Sequence, residues 1–349
     1  MDGIRAAFLA RQGSRLMVRR RVLYLVLDYP STSETYIRTE IEAVRQAYDV
    51  HVVSMQEGPI PYRNPHPYTV AKGADAALKV VRDWKPDIIH VHWFFANLLG
   101  IACRSGKPWT LRTHSFETDW RGAPSAEAKA LVRQIDASAC LGVLGFPYVA
   151  KDLIGAGLSP SKAIASPPVI DTQSFLNRAP NGNGIMNCGA AVAKHAMGKF
   201  VELSKQSKLG RPWRLYPLGH EASLLKQRNR AMGSPCEVFE PIDPSDMPPE
   251  YKKAEFLIVL SNGRGNGIGW PVSVGEAQAS GVVPVVPNIR PDMADYLGGG
   301  GFLYDKMEDA LRFMGEPAPS SMRETGFANA ERLDVRRNIH LLTDLWERV

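Results

Sequence analysis

The residues best spaced for chemistry lie in one stretch, 256–286, FLIVLSNGRGNGIGWPVSVGEAQASGVVPVV. A compact apolar run, 256–260, leads through glycines at 263, 265, 267 and 269 into helical composition over 272–280. A second apolar run, 282–286, follows Gly281. The order reads strand, glycine loop, helix, strand. Glycine lets backbone approach a ligand closely, and the first N–H groups of a helix lack partners inside it, so such a turn makes an anion site suited to a phosphate or diphosphate. Glu276 falls about one turn into the helix, where a carboxylate would repel phosphate but accept hydrogen bonds from sugar hydroxyls. Together these features suggest a nucleotide-sugar pocket.

A second group of chemically capable residues lies in the first half of the chain. His114 follows the short apolar run 108–113, and in an open α/β sheet the strand ends line the ligand crevice. Arg112, Glu117 and Asp119 beside it are charged enough to orient an acceptor. His90 and His92 share one face of the run 87–92, DIIHVH, a spacing that mimics a zinc pair. No third ligand is suggested nearby, and a packed or hydrogen-bonded role is expected for them.

The elements that must hold these groups can be read from apolar patterning. RVLYLVL, 21–27, has the continuous β-forming character of a parallel strand buried on both faces. Ser31 and Glu34 have the spacing of a capping box before a helix at 34–46, whose Ile37, Ile41 and Val44 share a face. VHVVSM from Val50 is the next strand, so the chain opens βαβ. A helix at 71–84, a strand at 140–144, a helix at 147–156 closed by Gly157 and a short run at 163–166 complete the first unit. A Pro/Gly/Asn-rich stretch, 177–184, separates it from strands at 185–188, 213–218 and 237–240, a helix at 248–254 carrying Tyr251, and a closing strand at 301–304. Leu333, Ile339, Leu342 and Trp346 recur at helical spacing in the tail.

GIGWPVSVGEAQASGVVPVV resembles the signature of the family 4 retaining glycosyltransferases of the GT-B fold, and YPSTSETYIRTEIEAV resembles the opening of members that build envelope polysaccharides. The resemblance implies two facing Rossmann-like βαβ domains with a C-terminal helix crossing back to the first. The domains are expected as a basic extension at 1–21, an acceptor-side domain at 22–171, a nucleotide-sugar-binding domain at 172–330 and a returning helix at 331–349. It implies that Glu276 binds the donor ribose, that His114 reaches the donor sugar, and that Lys194, with Lys199 as the fallback, helps neutralise the diphosphate. Arg264, Asn266, Gly267, Gly269, Trp270, Pro271, Ser273 and Val274 are the expected donor-binding residues, and Ser33, Glu34 and Thr35 the acceptor-side ones. Two positions depart from the pattern: Ile268 stands where a second glutamate is usual, and Ala190 where an arginine is usual. Arg264 and Asn266 are the candidate substitutes.

The whole composition fits this reading. A chain of 349 residues with 44% hydrophobic and 22% charged residues suits about two globular domains. Cys103, Cys140, Cys188 and Cys236 are scattered without metal-ligand spacing and are expected as buried free thiols of a cytoplasmic protein. The formal charge of +6 is concentrated at the start, where Arg5, Arg11, Arg15, Arg19, Arg20 and Arg21 interleave with Ile4, Phe8, Leu9, Leu16 and Met17. Such a segment suits either peripheral contact with an anionic membrane, at the inner face of the plasma membrane, or a solvated extension. No aromatic-basic platform accompanies it, so nucleic acid is not expected. The partners expected are a nucleotide-diphosphate-sugar donor and a saccharide or lipid-linked acceptor, with no cofactor and no metal. The competing reading is a catalytically silent GT-B protein that binds a nucleotide or a partner, and the departures at Ile268 and Ala190 are its basis.

Overall fold

The computed structural model describes residues 19–349 except 60, 119, 121–122, 220 and 262–267. Arg264, Asn266, Gly267 and Asp119 lie outside the described residues, as does most of the basic N-terminal extension. The apolar runs form two parallel sheets. The first contains β1 (Arg21–Asp28), β2 (Asp49–Gln56), β3 (Tyr68–Val70), β4 (Ile88–His92), β5 (Trp109–Arg112), β6 (Cys140–Gly145) and β7 (Ala163–Ala165), in the order β3-β2-β1-β4-β5-β6-β7. The second contains β8 (Gly184–Ala190), β9 (Trp213–Leu218), β10 (Glu237–Val238), β11 (Ala254–Ile258), β12 (Val283–Pro287) and β13 (Phe302–Tyr304), in the order β10-β9-β8-β11-β12-β13. This is the GT-B architecture.

Burial explains why these runs become strands. Val22 to Val26 are fully buried, as a strand covered by helices on both faces requires. In β11, Phe256 and Ile258 face a core with Phe200, Val201 and Trp213, whereas Leu257 faces a core shared with Tyr251 and Val274. Each sheet reverses its strand order once, between β1 and β4 in the first and between β8 and β11 in the second. A crevice opens at such a reversal, beyond the strands' C-terminal ends. The two crevices face one another.

The tail returns to the first domain. After the Ser320–Leu333 helix the chain bridges Asp334 to Ile170, and the His340–Trp346 helix lies on the first sheet. Trp346 is fully buried there and donates its indole N–H to Thr110 Oγ1 at 3.0 Å. Gly142 makes room for this helix, since a Cβ at that position would lie 2.8 Å from Leu345 Cδ1.

Some local expectations need correction. The capping box does not form: Glu34 is itself the N-cap of the Thr35–Val44 helix and makes no side-chain cap bond, while Ser31 Oγ pairs with Ser33 Oγ at 3.0 Å. A backbone turn, Glu34 N–H to Ser31 O at 3.1 Å, shapes this entry instead. The helix expected from residue 71 starts at Ala74, because Ala71 N–H is still bonded to Ser54 O at the end of β3. The four cysteines are free thiols, with Cys140 and Cys236 buried and Cys103 and Cys188 half-buried. Among the described residues, no helix is long and apolar enough to cross a membrane.

Candidate active site

A cavity of about 600 Å³ fills the space between the two strand reversals. The first domain contributes Ser33, Glu34, Thr35, Tyr36, Trp93 and His114 to its wall; the second contributes Ala190, Lys194, Ile268, Gly269, Trp270, Pro271, Ser273 and Glu276. Residues separated by more than 200 positions, such as Glu34 and Glu276, therefore border one volume.

On the second-domain side, β11 ends at Ile258 and the helix Val272–Ala279 begins beside the cavity. Its first-turn residues Val272 and Ser273 border the cavity, so the helix N-terminus directs its partial positive charge there. Val274 does not take the expected ligand-facing position. It is fully buried in the core, and its N–H is bonded to Pro271 O at 3.0 Å.

Glu276 borders the cavity one turn further on, and Tyr251 O–H donates to its Oε2 at 2.6 Å. Tyr251 is fully buried and also lies 3.2 Å from Cys188 Sγ, which fixes the carboxylate's orientation. Burial pushes the Glu276 carboxyl up to about 7, against the opposing pull of the Tyr251 hydrogen bond. The free acid and the carboxylate are thus close in energy near neutral pH. A ligand hydroxyl that donates to the second oxygen would favour the carboxylate.

Lys194 occupies the turn after β8 and borders the cavity, whereas Lys199 points its Nζ to Ser261 O at 3.2 Å. Burial lowers the Lys194 ammonium's pKa, and the Glu117 carboxylate across the cleft opposes this. Neighbouring His195 donates from Nδ1 to Ala190 O at 2.8 Å, and burial lowers it to about 4, so it adds no charge at neutral pH. Ala190, where the sequence resemblance implied an arginine, therefore serves this corner through its carbonyl. Ile268, where the sequence resemblance implied a glutamate, is 5% exposed, and its carbonyl accepts from Arg290 Nη1 at 2.6 Å.

Gly269 and Trp270 join the two domains. The Phe146 ring lies so close to Gly269 that a Cβ there would be 2.6 Å from Phe146 Cε2. Trp270 stacks between Phe146, at 5.7 Å, and Tyr296, at 4.7 Å, and donates its indole N–H to Asp292 at 2.6 Å. At another edge of the cleft Arg63 of the first domain donates to Asp246 at 2.6 Å and its N–H to Asp243 at 2.7 Å.

On the first-domain side, Ser33, Glu34 and Thr35 all border the cavity. Burial, with Asp28 as a second cause, raises the Glu34 carboxyl well above the usual range. Thr32 Oγ1, Glu34 Oε2 and Thr113 Oγ1 are buried without hydrogen-bond partners among the described residues. All three residues line the cavity, and a polyhydroxyl ligand would satisfy such atoms. Glu34 makes no cap bond and borders the cavity with a partnerless Oε2.

His114 closes the site from behind. Its Nε2 lies 3.0 Å from His92 Nδ1, its backbone N–H donates to Glu117 Oε1 at 2.7 Å, and Tyr36 packs on its ring at 4.2 Å. Behind it His90 Nε2 and His92 Nε2 lie 2.8 and 3.2 Å from the same oxygen of Glu40, all three side chains fully buried. Glu40 thus supplies the third group that the histidine pair lacked in sequence, and the three ligand atoms lie within 4.8 Å of one another. Arg112 Nε donates to the other Glu40 oxygen at 2.6 Å. A metal ion would share Glu40 with that guanidinium, so the cluster suits a hydrogen-bonded network better than a cation site. The sequence does carry a trace of Glu40: it is one charged residue on the helix face defined by Ile37, Ile41 and Val44, where burial demands a partner.

Comparison with known proteins places this geometry. Residues 30–174 match the model of the family described as Glycosyltransferase Family 4. Among solved structures, the chain is similar to HepE of Anabaena in complex with UDP and glucose, at 14% identity, covering 95% of this chain and 100% of that one with a TM-score of 0.73. It is also similar to sucrose-phosphate synthase of Thermosynechococcus elongatus, at 13% identity, 95% and 98% coverage and a TM-score of 0.73. A third is WaaG, a glycosyltransferase involved in lipopolysaccharide biosynthesis, at 10% identity, 93% and 99% coverage and a TM-score of 0.66. At these identities the likeness establishes the two-domain GT-B fold along the chain. No curated protein matches in sequence.

Proposed function

We propose that the protein is a glycosyltransferase that moves a sugar from a nucleotide-diphosphate-sugar donor to a saccharide or lipid-linked saccharide acceptor, with retention of configuration. The observation that carries this reading is the shared cavity. A helix N-terminus, Lys194 and an oriented Glu276 face it from one domain, and His114 and the partnerless polar atoms of Thr32, Glu34 and Thr113 face it from the other. The match of residues 30–174 and the UDP and glucose bound by HepE support it.

In this reading the bond between the anomeric carbon and the diphosphate oxygen breaks, and negative charge grows on the leaving nucleoside diphosphate. Lys194 and the N–H groups of Val272 and Ser273 stabilise that charge. Glu276 accepts from the ribose hydroxyls, His114 positions the donor sugar, and Ser33, Glu34 and Thr35 hold the acceptor. Attack from the face of the departing phosphate, which takes the acceptor proton, gives retention. Lys194 and the helix supply the positive field, so the reading calls for no metal and no cofactor beyond the donor. The opening motif and the basic start, with Arg19, Arg20 and Arg21 as its described end, support work on envelope polysaccharide or glycolipid at the inner face of the plasma membrane.

Turnover tests the proposal. Incubation with UDP-, GDP- and ADP-sugars and lipid-linked or oligosaccharide acceptors should release nucleoside diphosphate only when an acceptor is present. Tight nucleotide binding with no release for any pair would instead favour the silent scaffold, the reading that Ile268 and Ala190 keep open.

A further inference from the structure

The buried chain behind His114 has a direction. Glu40 is fully buried, yet Arg112 Nε at 2.6 Å gives its carboxylate a charged donor and holds it well below the usual carboxylate range despite burial. An ionised carboxylate only accepts hydrogen bonds. His92 Nε2, 3.2 Å from Glu40 Oε1, must therefore carry a hydrogen. Burial lowers His92 to about 4, so the ring is neutral and its Nδ1 is a bare lone pair. The nitrogen facing that lone pair at 3.0 Å, His114 Nε2, must then be the donor. The two imidazole planes are 11° from parallel with centroids 5.2 Å apart, consistent with rings joined edge to edge by one hydrogen bond. His114 is itself buried enough to be neutral, so its remaining nitrogen, Nδ1, is unprotonated. His114 borders the cavity, its Nε2 is engaged by His92, and its Nδ1 makes no hydrogen bond among the described residues, so Nδ1 is the nitrogen left for a ligand.

We propose that Glu40 and His92 are positioning residues that lock His114 into a single tautomer, with Nε2–H directed inward and a bare Nδ1 presented to the cleft. His114 then meets its ligand as a hydrogen-bond acceptor. It accepts from a hydroxyl and repels a carboxylate or phosphate oxygen at the same place, so the sugar it touches carries a free hydroxyl there and not an acid group. The substrate part of this inference rests on the glycosyltransferase reading; the tautomer does not.

The polarity of the chain depends on one atom of Glu40. In Glu40→Gln, Arg112 keeps the amide oxygen as its acceptor, which places the NH₂ group against His92 Nε2. His92 must then carry its hydrogen on Nδ1 and donate to His114 Nε2, and His114 must carry its own hydrogen on Nδ1. One substitution reverses every hydrogen bond in the relay and turns the cleft-facing acceptor into a donor.

Long-range proton–nitrogen NMR of the full chain labelled with ¹⁵N-histidine reads the tautomer directly, and the signal lost in His114→Gln assigns the ring. The expected result is Nε2–H with bare Nδ1 in the wild type and the opposite in Glu40→Gln. A second variant, His92→Ala, covers the case in which Glu40→Gln does not fold, and should release His114 into a mixture of both tautomers. Wild-type His114 found as the Nδ1–H form, or a tautomer unchanged in whichever variant folds, would overturn the proposal. With an active donor–acceptor pair, Glu40→Gln should raise the donor KM about fivefold while nucleoside diphosphate affinity stays within about twofold, since one neutral hydrogen bond is worth about 1 kcal/mol. An enzyme with no turnover but the expected tautomers would count against the glycosyltransferase reading and leave the relay standing.

Discussion

Glu276 gives the most quantitative consequence of the site. Its carboxyl rises from 4.5 to about 7 because burial disfavours the charged form. At 1.36 kcal/mol per pH unit, that rise corresponds to about 3 kcal/mol. The sign follows from linkage. A carboxyl whose folded-state pKa is raised contributes stability that is fully present below about pH 4.5 and is lost as pH rises through about 7. Wild-type protein at pH 8.5 therefore carries a buried carboxylate at a net cost of about 3 kcal/mol, the Tyr251 hydrogen bond having offset part of the burial penalty. Glu276→Gln keeps an acceptor for Tyr251 and cannot ionise. It should match wild type in urea midpoint below about pH 4.5 and exceed it progressively between about pH 4.5 and 7. The stability difference should level off above pH 8 at about 2 to 4 kcal/mol. The variant should also lose most of its nucleotide affinity, since the site trades stability for a carboxylate held ready for a hydroxyl. A Glu276→Gln advantage that does not vary between pH 5 and 8.5 would refute the reasoning, as would a variant less stable than wild type at pH 8.5.

Three further outcomes follow from the geometry. Lys194→Ala should weaken nucleoside diphosphate binding about 10- to 100-fold by calorimetry, the loss of one charged hydrogen bond, while nucleoside affinity stays nearly unchanged. Trp346→Ala should destabilise the first domain by about 3 to 5 kcal/mol in denaturant titration, because a fully buried indole packed on the first sheet is removed. Gly269→Ala places a methyl group 2.6 Å from Phe146 Cε2 and should cost about 1 to 3 kcal/mol with weaker nucleotide binding. Adding Phe146→Leu should restore a large part of both, a coupling that a double-mutant cycle detects.

Much of this architecture was legible in the chain because parallel sheets bury their strands on both faces and so write themselves as apolar runs. The runs at β1, β4, β6, β9 and β12 are of that kind, and Trp213 to Leu218 is a strand to the residue. The strand–loop–helix unit around Glu276 was legible because glycine spacing, a proline at the helix entry and a second apolar run coincide. β3 was not legible: it is a three-residue edge strand of half-buried side chains, defined by pairing with β2 rather than by its own pattern. The helices Ala96–Arg104 and Ala126–Ala137 also left no expectation, since their outer faces are mixed and neither has a strong capping sequence at its start apart from Ser125.

Within the site, residues near one another in sequence were easier to group than those the fold brings together. His114 and Glu276 could each be named from the strand or loop that precedes it, and Lys194 from the family resemblance. The Tyr251–Glu276 bond, the Phe146–Gly269 contact and the Glu40–His92–His114 chain join residues 22 to 123 positions apart, and only the sheet order brings them into contact. Glu34 shows the opposite hazard. Its spacing from Ser31 matched a local capping pattern, but the backbone turn at Ser31 replaces that bond and frees the carboxyl for the cleft.

On the proposed reading, the cleft binds a nucleoside diphosphate through Glu276 and Lys194. Its most direct test is thermal stability of wild-type and Glu276→Ala protein at pH 7.5 with UDP, GDP and ADP. At 100 times its dissociation constant, a ligand that binds only the folded state adds about 2.7 kcal/mol. One nucleotide should stabilise wild type clearly and Glu276→Ala much less. Stabilisation of wild type by none of the three, or equal stabilisation of both proteins by the same nucleotide, would contradict the account.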